Sequence, residues 1–440
     1  MLGLFNTYDH ATKELMQSLA AADISYKPVF IQYNGALPDG ALCPFVTYTG
    51  IKRQGDPLFF NQVPVPPWCE IRQGVEVFGE ILRDGCVMGK INYEPNSFRQ
   101  VDSVDWFLPD HNVSHTDHYD RQGNFYATTY YSNGLAYQTA YRGPGEWAIE
   151  VNHVARIVTM FSPRQLLTFA SLTDFVSFFL DDQGLLEPHV LINSLSFPLF
   201  VMRQRAAKPN TTLFWQEPML GEVPGNMGLE LNQPKALTRI VFCDQQLQQQ
   251  VAKLHPETAL ELTYLSHLGQ FAEHDNYDPN RVFTLTNSDE IPGLADLLEA
   301  FPEVTFSVAA PTLMSEKLHA LGRQFANLKL SPTINHKSIA EELARASVYL
   351  DINAGPHVLD VVKAAYHLNL VVFALAPHAK APDYSRVFST SDELQINLAA
   401  VVSSPQARIQ ALDKLHSQHG PPTTAADYQR VFKQRPGSRS

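Results

Sequence analysis

Cysteine is scarce in this 440-residue chain. The four present (Cys43, Cys69, Cys86 and Cys243) form no CxxC pair and no metal-ligand spacing. That excludes a disulfide scaffold and a zinc ribbon, and isolated cysteines are normally small core hydrophobes. The opening Met1–Asn6 has no leader signature, so this disulfide-poor chain is expected in a reducing cytoplasm. Long apolar runs are also missing. Leu368–Pro377 has the length of a strand, whereas a membrane helix needs roughly 20 residues. Any membrane association is therefore expected to be peripheral. Basic charge is in short supply: 33 Lys and Arg stand against 45 Asp and Glu, a net −12, which argues against a nucleic-acid partner. No GxGxxG, P-loop or GxSxG occurs, so dinucleotide, P-loop and nucleophile-elbow chemistry have no support.

What the chain does have is 45% apolar residues, enough for the cores of two or three domains. LFNTYDHATKELMQSLAAADI reads as a helix capped by Thr7 or Asp9, with Leu15, Met16, Leu19 and Ala22 at helical spacing. A short strand, Lys27–Gly35, follows and closes at Asn34-Gly35. From 43 to 160 the turn signals Asp84-Gly85, Gly123-Asn124, Asn133-Gly134 and Gly143-Pro144-Gly145 recur between strand-like runs. That spacing predicts an antiparallel β-meander. Alternation along its Tyr-rich strands makes one face aromatic, a surface for packing or for sugar. SPRQLLTFASLTDFVSFFLDDQGL then reads as a helix capped by Ser162. After it, apolar strands alternate with helices, the pattern of parallel sheets covered on both faces. The division this predicts is 1–42 and 161–235 for a first Rossmann-type domain, 43–160 for an all-β insertion and 236–433 for a second Rossmann-type domain. The tail 434–440, with its GSRS, reads as vector-derived. The C-terminal YQRVFK is expected to cross back onto the first domain.

Ligands of open parallel sheets sit at the carboxyl ends of the strands. Those ends supply Asn193 and Ser194; Trp215, Gln216 and Glu217; Thr286, Asn287, Ser288 and Asp289; and Asn353, Gly355 and His357. They are expected to line one cleft, although Ser194, Ser196, Ser288 and Asp289 equally suit helix caps. A nucleotide-diphosphate pocket also needs cations. Arg281 precedes its strand, at the wrong end, leaving Lys337 as the nearby cation. The patch Asp110–Asp120 holds His111, His115 and His118, but alternation sends His118 to the other face and no second element supplies ligands. It is read as a solvated strand edge; no metal and no cofactor are expected.

The segment VYLDINAGPHVLDVVKAAYHLNLVVFAL (Val348–Leu375) resembles the donor-pocket segment of two-domain GT-B glycosyltransferases. Retaining enzymes of that class carry two glutamates there, eight positions apart. Aligned on the Lys363-Ala364 step, those places hold Gly355 and Lys363. A lysine cannot accept the ribose hydroxyls, so both are read as degenerate donor-site positions.

LFNTYDHATKELMQSL, FFNQVPVPPWCEI, VDWFLPD, INSLSFPLF, LFWQEPMLGEVPGNM, TLTNSDEI and YLDINAG together resemble a known family. It is the glycosyltransferase-stabilising subunit of the bacterial O-GlcNAc transferase that modifies serine-rich-repeat adhesins for accessory Sec export. The resemblance runs from Met1 to about Lys433. It implies a GT-B-like α/β fold of two facing Rossmann-type domains with a β-meander in the first, and no transferase activity alone. It implies two partners, a homologous catalytic subunit and the Ser/Thr-rich adhesin polypeptide, naked or partly glycosylated. It further implies a heterotetramer, and a cytoplasmic site of action on the inner face of the membrane. The catalytic subunit would meet the meander, with Tyr119, Tyr126, Tyr130, Tyr131, Tyr137 and Tyr141 as the interface. The resemblance implies UDP-GlcNAc as the donor, or UDP-glucose in some lineages. Two other readings stand beside this one: an active GT-B glycosyltransferase with an altered donor pocket, and a free-standing lectin or peptide-binding module.

Overall fold

The computed structural model describes residues 1–74, 78–95, 97, 99–185, 187–206, 208–217, 219, 222–268, 271, 274 and 276–433. The tail read as vector-derived, 434–440, lies outside them. The chain divides into two compact units, Met1–Leu268 with Thr423–Ser440, and Gly269–Pro422.

The first unit is built on a parallel sheet of six strands among the described residues. Its order is Glu261–Tyr264, Leu237–Phe242, Asn210–Trp215, His189–Ile192, Leu2–Phe5 and Lys27–Phe30. Two expectations are corrected here. The opening segment is a strand before it is a helix: Leu2–Phe5 is buried throughout and pairs with both His189–Ile192 and Lys27–Phe30. The helix starts only at His10, where the Asp9 carboxylate accepts from Thr12 N at 2.9 Å. The boundary at 236 also moves, because the strands 237–242 and 261–264 complete this first sheet rather than opening the second.

Among the described residues the insertion is a meander of ten antiparallel strands in sequential order, from Cys69–Gln73 to Leu166–Phe169. It begins later and ends later than the 43–160 read from turn spacing. Pro44–Thr49 is a short helix closed by Gly50 in the left-handed region. Beyond 160 the expected Ser162-capped helix is instead a turn and the last strand. Ser162 Oγ accepts from Arg164 N and Gln165 N, Leu166–Phe169 pairs with Ile157–Phe161, and the helix Leu172–Asp182 is capped by Ser171. One face of the meander joins the body of its own unit, since Ala127, Ile149 and Met160 share a core with Phe5, Phe30, Phe45 and Phe175. On the other face Val63 closes over Ile81, Ile91 and Val104. The C-terminal helix Ala425–Lys433 returns to this unit. Tyr428 is buried there, its hydroxyl donating to Ser266 O at 2.9 Å, and Gln429 Nε2 donates to Ala22 O at 2.9 Å.

The second unit holds a parallel sheet in the order Leu328–Ser331, Thr305–Ala309, Asp278–Leu285, Ala346–Asp351, Val371–Leu375 and Arg386–Phe388. Every residue of Ala346–Asp351 and Val371–Leu375 is buried, as covering both faces of a parallel sheet requires. The helix expected from about His357 starts at Val361, because Leu359 sits at φ 49° and ends any helical run before it. Each unit thus has the Rossmann-type rhythm, and the chain is GT-B-like α/β.

Candidate functional site

At the strand ends of the second unit, polar groups are already spent on the protein itself. Thr286 Oγ1 donates to Ser288 O at 2.7 Å and accepts from Ser288 N at 2.9 Å. Asp289 Oδ1 accepts from Ser315 N at 3.3 Å, so Asp289 ties down a neighbouring loop. Asn353 is buried and donates to Leu285 O at 3.3 Å; among the described residues its Oδ1 has no partner. Gly355 lies flat against the neighbouring loop. A Cβ built on it would stand 2.2 Å from Asn287 Oδ1 and 2.8 Å from Ser288 Cβ, so the glutamate of a donor site has no room to start. Lys363 points its ammonium over the Tyr384 ring, 5.2 Å from the centroid. His357 lies in the loop before the helix.

The cation at these strand ends is not Lys337, which is exposed on the helix His336–Arg345. It is Lys380, absent from the sequence reading. Its ammonium lies 3.1 Å from the buried carboxylate of Asp351 and also donates to Asn353 O, while its own N–H donates to Asp351 Oδ2 at 2.6 Å. A lysine held this way is neutralised before any phosphate arrives. Arg281 is likewise engaged, doubly hydrogen-bonded to Glu342. The sign that marks Asp351 is an acid closing a buried apolar strand; nothing marks Lys380, which comes from a loop 29 residues on.

The first unit differs. Asn193 accepts from Asn6 N at 3.1 Å and donates to Thr12 Oγ1 at 2.8 Å, stitching the strand end to the first helix. Gln32 Nε2 extends the net to Asn6 Oδ1 at 3.1 Å. Asn6 and Gln32 were missed because the strand before Asn6 was missed. Ser194 Oγ accepts from Ser196 N at 3.1 Å. Next to this spent cluster lie three unspent groups. Gln216 Nε2 donates to Ala11 O at 2.6 Å and Leu195 N donates to Glu217 Oε1 at 2.7 Å. Among the described residues, however, Gln216 Oε1, Glu217 Oε2 and Trp215 Nε1 are buried with no hydrogen-bond partner. One N–H donor and two oxygen acceptors on consecutive residues are the complement of hydroxyl and peptide groups, and leaving them unpaired is costly.

These geometries coincide with a clear set of likenesses. Family descriptions match in four blocks: GtfB N-terminal domain over 2–48, GtfB middle domain over 69–170, GtfB third domain over 172–254 and GftB/GlyA-F C-terminal domain over 282–415. The UDP-N-acetylglucosamine--peptide N-acetylglucosaminyltransferase stabilizing protein GtfB of Streptococcus gordonii is 33% identical over 90% of each chain. The chain belongs to the GtfB family. The protein of the same name from Streptococcus pneumoniae serotype 4 is 31% identical over 97% of this chain and 96% of its own. A chain in a crystal structure of a GtfA/B complex bound to UDP and GlcNAc superposes with a TM-score of 0.90 at 31% identity, covering 99% of this chain and 100% of that one. The pneumococcal O-GlcNAc transferase GtfA, at 11% identity and TM-score 0.55 over 98% of both, shares the fold. As a member of that family, the chain is a stabilising accessory subunit and not itself the transferase.

The tyrosines expected at an interface divide into two groups. Tyr119, Tyr126 and Tyr141 are turned inward. Tyr126 packs 4.7 Å from Tyr33 and Tyr141 packs 4.3 Å from Phe45. Burial, then the nearby Asp117, pushes the Tyr119 phenol up to about 12. Tyr130, Tyr131 and Tyr137 stay at the surface of this chain, beside the hairpin ends where Leu135 is 74% and Val154 78% exposed. His111 and His115 remain part-exposed or exposed, and His118 turns in to Thr129. Among the described residues no cluster of three or more His, Cys, Asp or Glu has metal-holding geometry, and no helix is long and apolar enough to cross a membrane.

Proposed function

We propose that this chain docks through its β-meander on a homologous catalytic GtfA-type subunit, stabilises it, and holds a Ser/Thr-rich adhesin polypeptide for O-GlcNAc addition. The observation that carries this reading is the donor position of the second unit: no space at Gly355, Lys363 committed to Tyr384, and Lys380 neutralised by Asp351. What remains unspent, at Trp215–Glu217, suits hydroxyls and peptide groups rather than phosphate. An acceptor held on one subunit raises the effective concentration of its hydroxyls at the other. The work is done in the cytoplasm, peripherally at the membrane, ahead of accessory Sec export. Partner docking is assigned to the hairpin ends around Tyr131, Leu135 and Val154, where the bond from His153 N to Tyr137 O sets the exposed Leu135 and Val154 on neighbouring turns.

The test uses the purified chain, the catalytic subunit and the pair, each with UDP-GlcNAc and a Ser-rich peptide. Transfer is expected from the pair, weakly from the catalytic subunit, and not from this chain. Substituting Leu135 and Val154 together with aspartate is expected to abolish co-elution with the catalytic subunit. Transfer by this chain alone would overturn the reading.

A further inference from the structure

At the amino ends of the first unit's strands, opposite the ends that carry Asn193 and Trp215–Glu217, the chain surrounds an open-mouthed cavity of about 830 Å³. Small-molecule sites fall in the range of roughly 300–1,000 Å³. The floor is apolar. Leu2 and Val190 are register partners on adjacent strands. Leu180, Leu185 and Met202 close around them, and all five belong to one buried core. The walls are the helix Leu172–Asp182 and the end of the helix Phe197–Gln204.

In the first of these walls a hydroxyl is left unspent. Asp174, Ser177 and Asp181 are three and four positions apart, so they share one face of their helix. Both acids are taken: Asp174 Oδ1 accepts from Gln204 Nε2 at 3.0 Å, and Asp181 pairs with Arg205. Between these two bridges the Ser177 hydroxyl is buried and, among the described residues, has no hydrogen-bond partner. A helical serine or threonine can satisfy itself on the carbonyl four residues back. Ser18 does so on Glu14 O at 2.9 Å, and Thr49 on Phe45 O. Ser177 does not, and lines the cavity instead.

The charges at the mouth narrow the ligand. Glu187 is answered by Lys27 at 3.2 Å, and Arg205 by Asp181. That leaves Lys208, exposed at the rim and without an acid partner among the described residues. Its flexible four-carbon stem lets the ammonium reach inward. Ser177 and Lys208 both offer donors, and a carboxylate offers only acceptors. One negative charge is matched by one free cation, whereas a phosphate dianion would face Asp174, Asp181 and Glu187 with that lysine alone. A cationic head would find those acids already engaged. We propose that this cavity binds an apolar monocarboxylate, its body laid on the floor of Leu2, Val190 and Met202 and its carboxylate held by the Ser177 hydroxyl and the Lys208 ammonium. The site lies at the opposite strand ends from those assigned to the acceptor, and it stands independently of that reading.

The experiment titrates the full chain with decanoate, decanol and decylamine, each kept below its micelle concentration, by calorimetry and by the shift in melting temperature. Decanoate is expected to occupy a single site and to bind roughly tenfold tighter than decanol, the worth of one charge-assisted hydrogen bond. Lys208→Gln should erase that preference and leave decanol binding unchanged. Ser177→Ala should weaken decanoate severalfold. Ala206→Trp, at an exposed position of the lining, should block the mouth and abolish binding of all three without lowering the melting temperature of the free protein. Failure of the wild type to bind decanoate would overturn the proposal, as would tighter binding of decylamine. Decanoate binding that survives both Ala206→Trp and Lys208→Gln would place the ligand elsewhere and overturn it too.

Discussion

At Gly355 the neighbouring loop leaves no room for a side chain. The Cβ that any other residue would bring is blocked by Asn287 and by Ser288 Cβ, the latter too close to the backbone to swing aside. Restoring the two acids of a donor pocket, Gly355→Glu with Lys363→Glu, is therefore expected to cost stability and gain nothing. Overpacking of this kind costs about 1–3 kcal/mol, so thermal melts should shift down, while calorimetry with UDP-GlcNAc should stay flat. The ion pair of Asp351 and Lys380 makes a second prediction at this scale. Lys380→Met leaves a fully buried carboxylate without its cation, a change of about 3–5 kcal/mol. The double variant Asp351→Leu with Lys380→Met removes both charges and should recover most of that loss. Chemical denaturation of the three proteins checks both numbers.

At the scale of elements, the meander carries a chain of side chains across its strands. His118 Nε2 meets Thr129 Oγ1 at 2.9 Å, Thr129 meets Thr139 at 2.9 Å, and Thr139 meets His153 Nε2 at 2.8 Å. Three hydrogen bonds need three hydrogens, and the hydroxyls supply two. The third must come from one imidazole, so one histidine donates while the other accepts. Burial lowers the pKa of both rings, more than Asp102, Asp105 and Asp117 raise that of His118. A depressed folded-state pKa gives stability that is present above the unfolded value, about 6.5, and is lost as pH falls through the folded one. The melting temperature of the wild type is therefore expected to drop between pH 7 and pH 5. A His118→Gln, His153→Gln protein should start lower at pH 7 and drop less. The same elements show what could be read in advance. Turn signals such as Asp84-Gly85 and Asn133-Gly134 are local, and the hairpins they mark formed as read. The strand Leu2–Phe5 was hidden because four buried residues hold no periodicity, and Leu166–Phe169 because its apolar residues ran on into a helix. Strand-end residues were legible as a list. Which of them are spent, as Asn193 is on Asn6 and Thr12, depends on partners up to 187 positions away in sequence.

For the whole molecule the question is which parts stand alone. Turn spacing makes the meander look like an insertion that could be cut out, with Val101–Val151 removed and the Rossmann halves left folded. The packing argues the opposite. Tyr126, Ala127 and Ile149 lie within the removed stretch and share one core with Phe5, Phe30, Phe45, Phe175 and Tyr428, which ties the first parallel sheet, the meander and the C-terminal helix into one cooperative body. Emptying that core removes several large buried side chains at once, each costing about 2–5 kcal/mol, more than a domain's typical margin of about 5–15 kcal/mol can absorb. The unit Gly269–Pro422 has its own sheet and apolar clusters on both faces. Expressed alone, residues 269–422 should melt in a single cooperative transition by circular dichroism and calorimetry. The 101–151 deletion should instead be insoluble, or soluble with strong dye binding and no sharp transition in the first unit. A deletion protein that retained a cooperative first-unit transition would show that the shared core is not what holds the sheet, the meander and the C-terminal helix together.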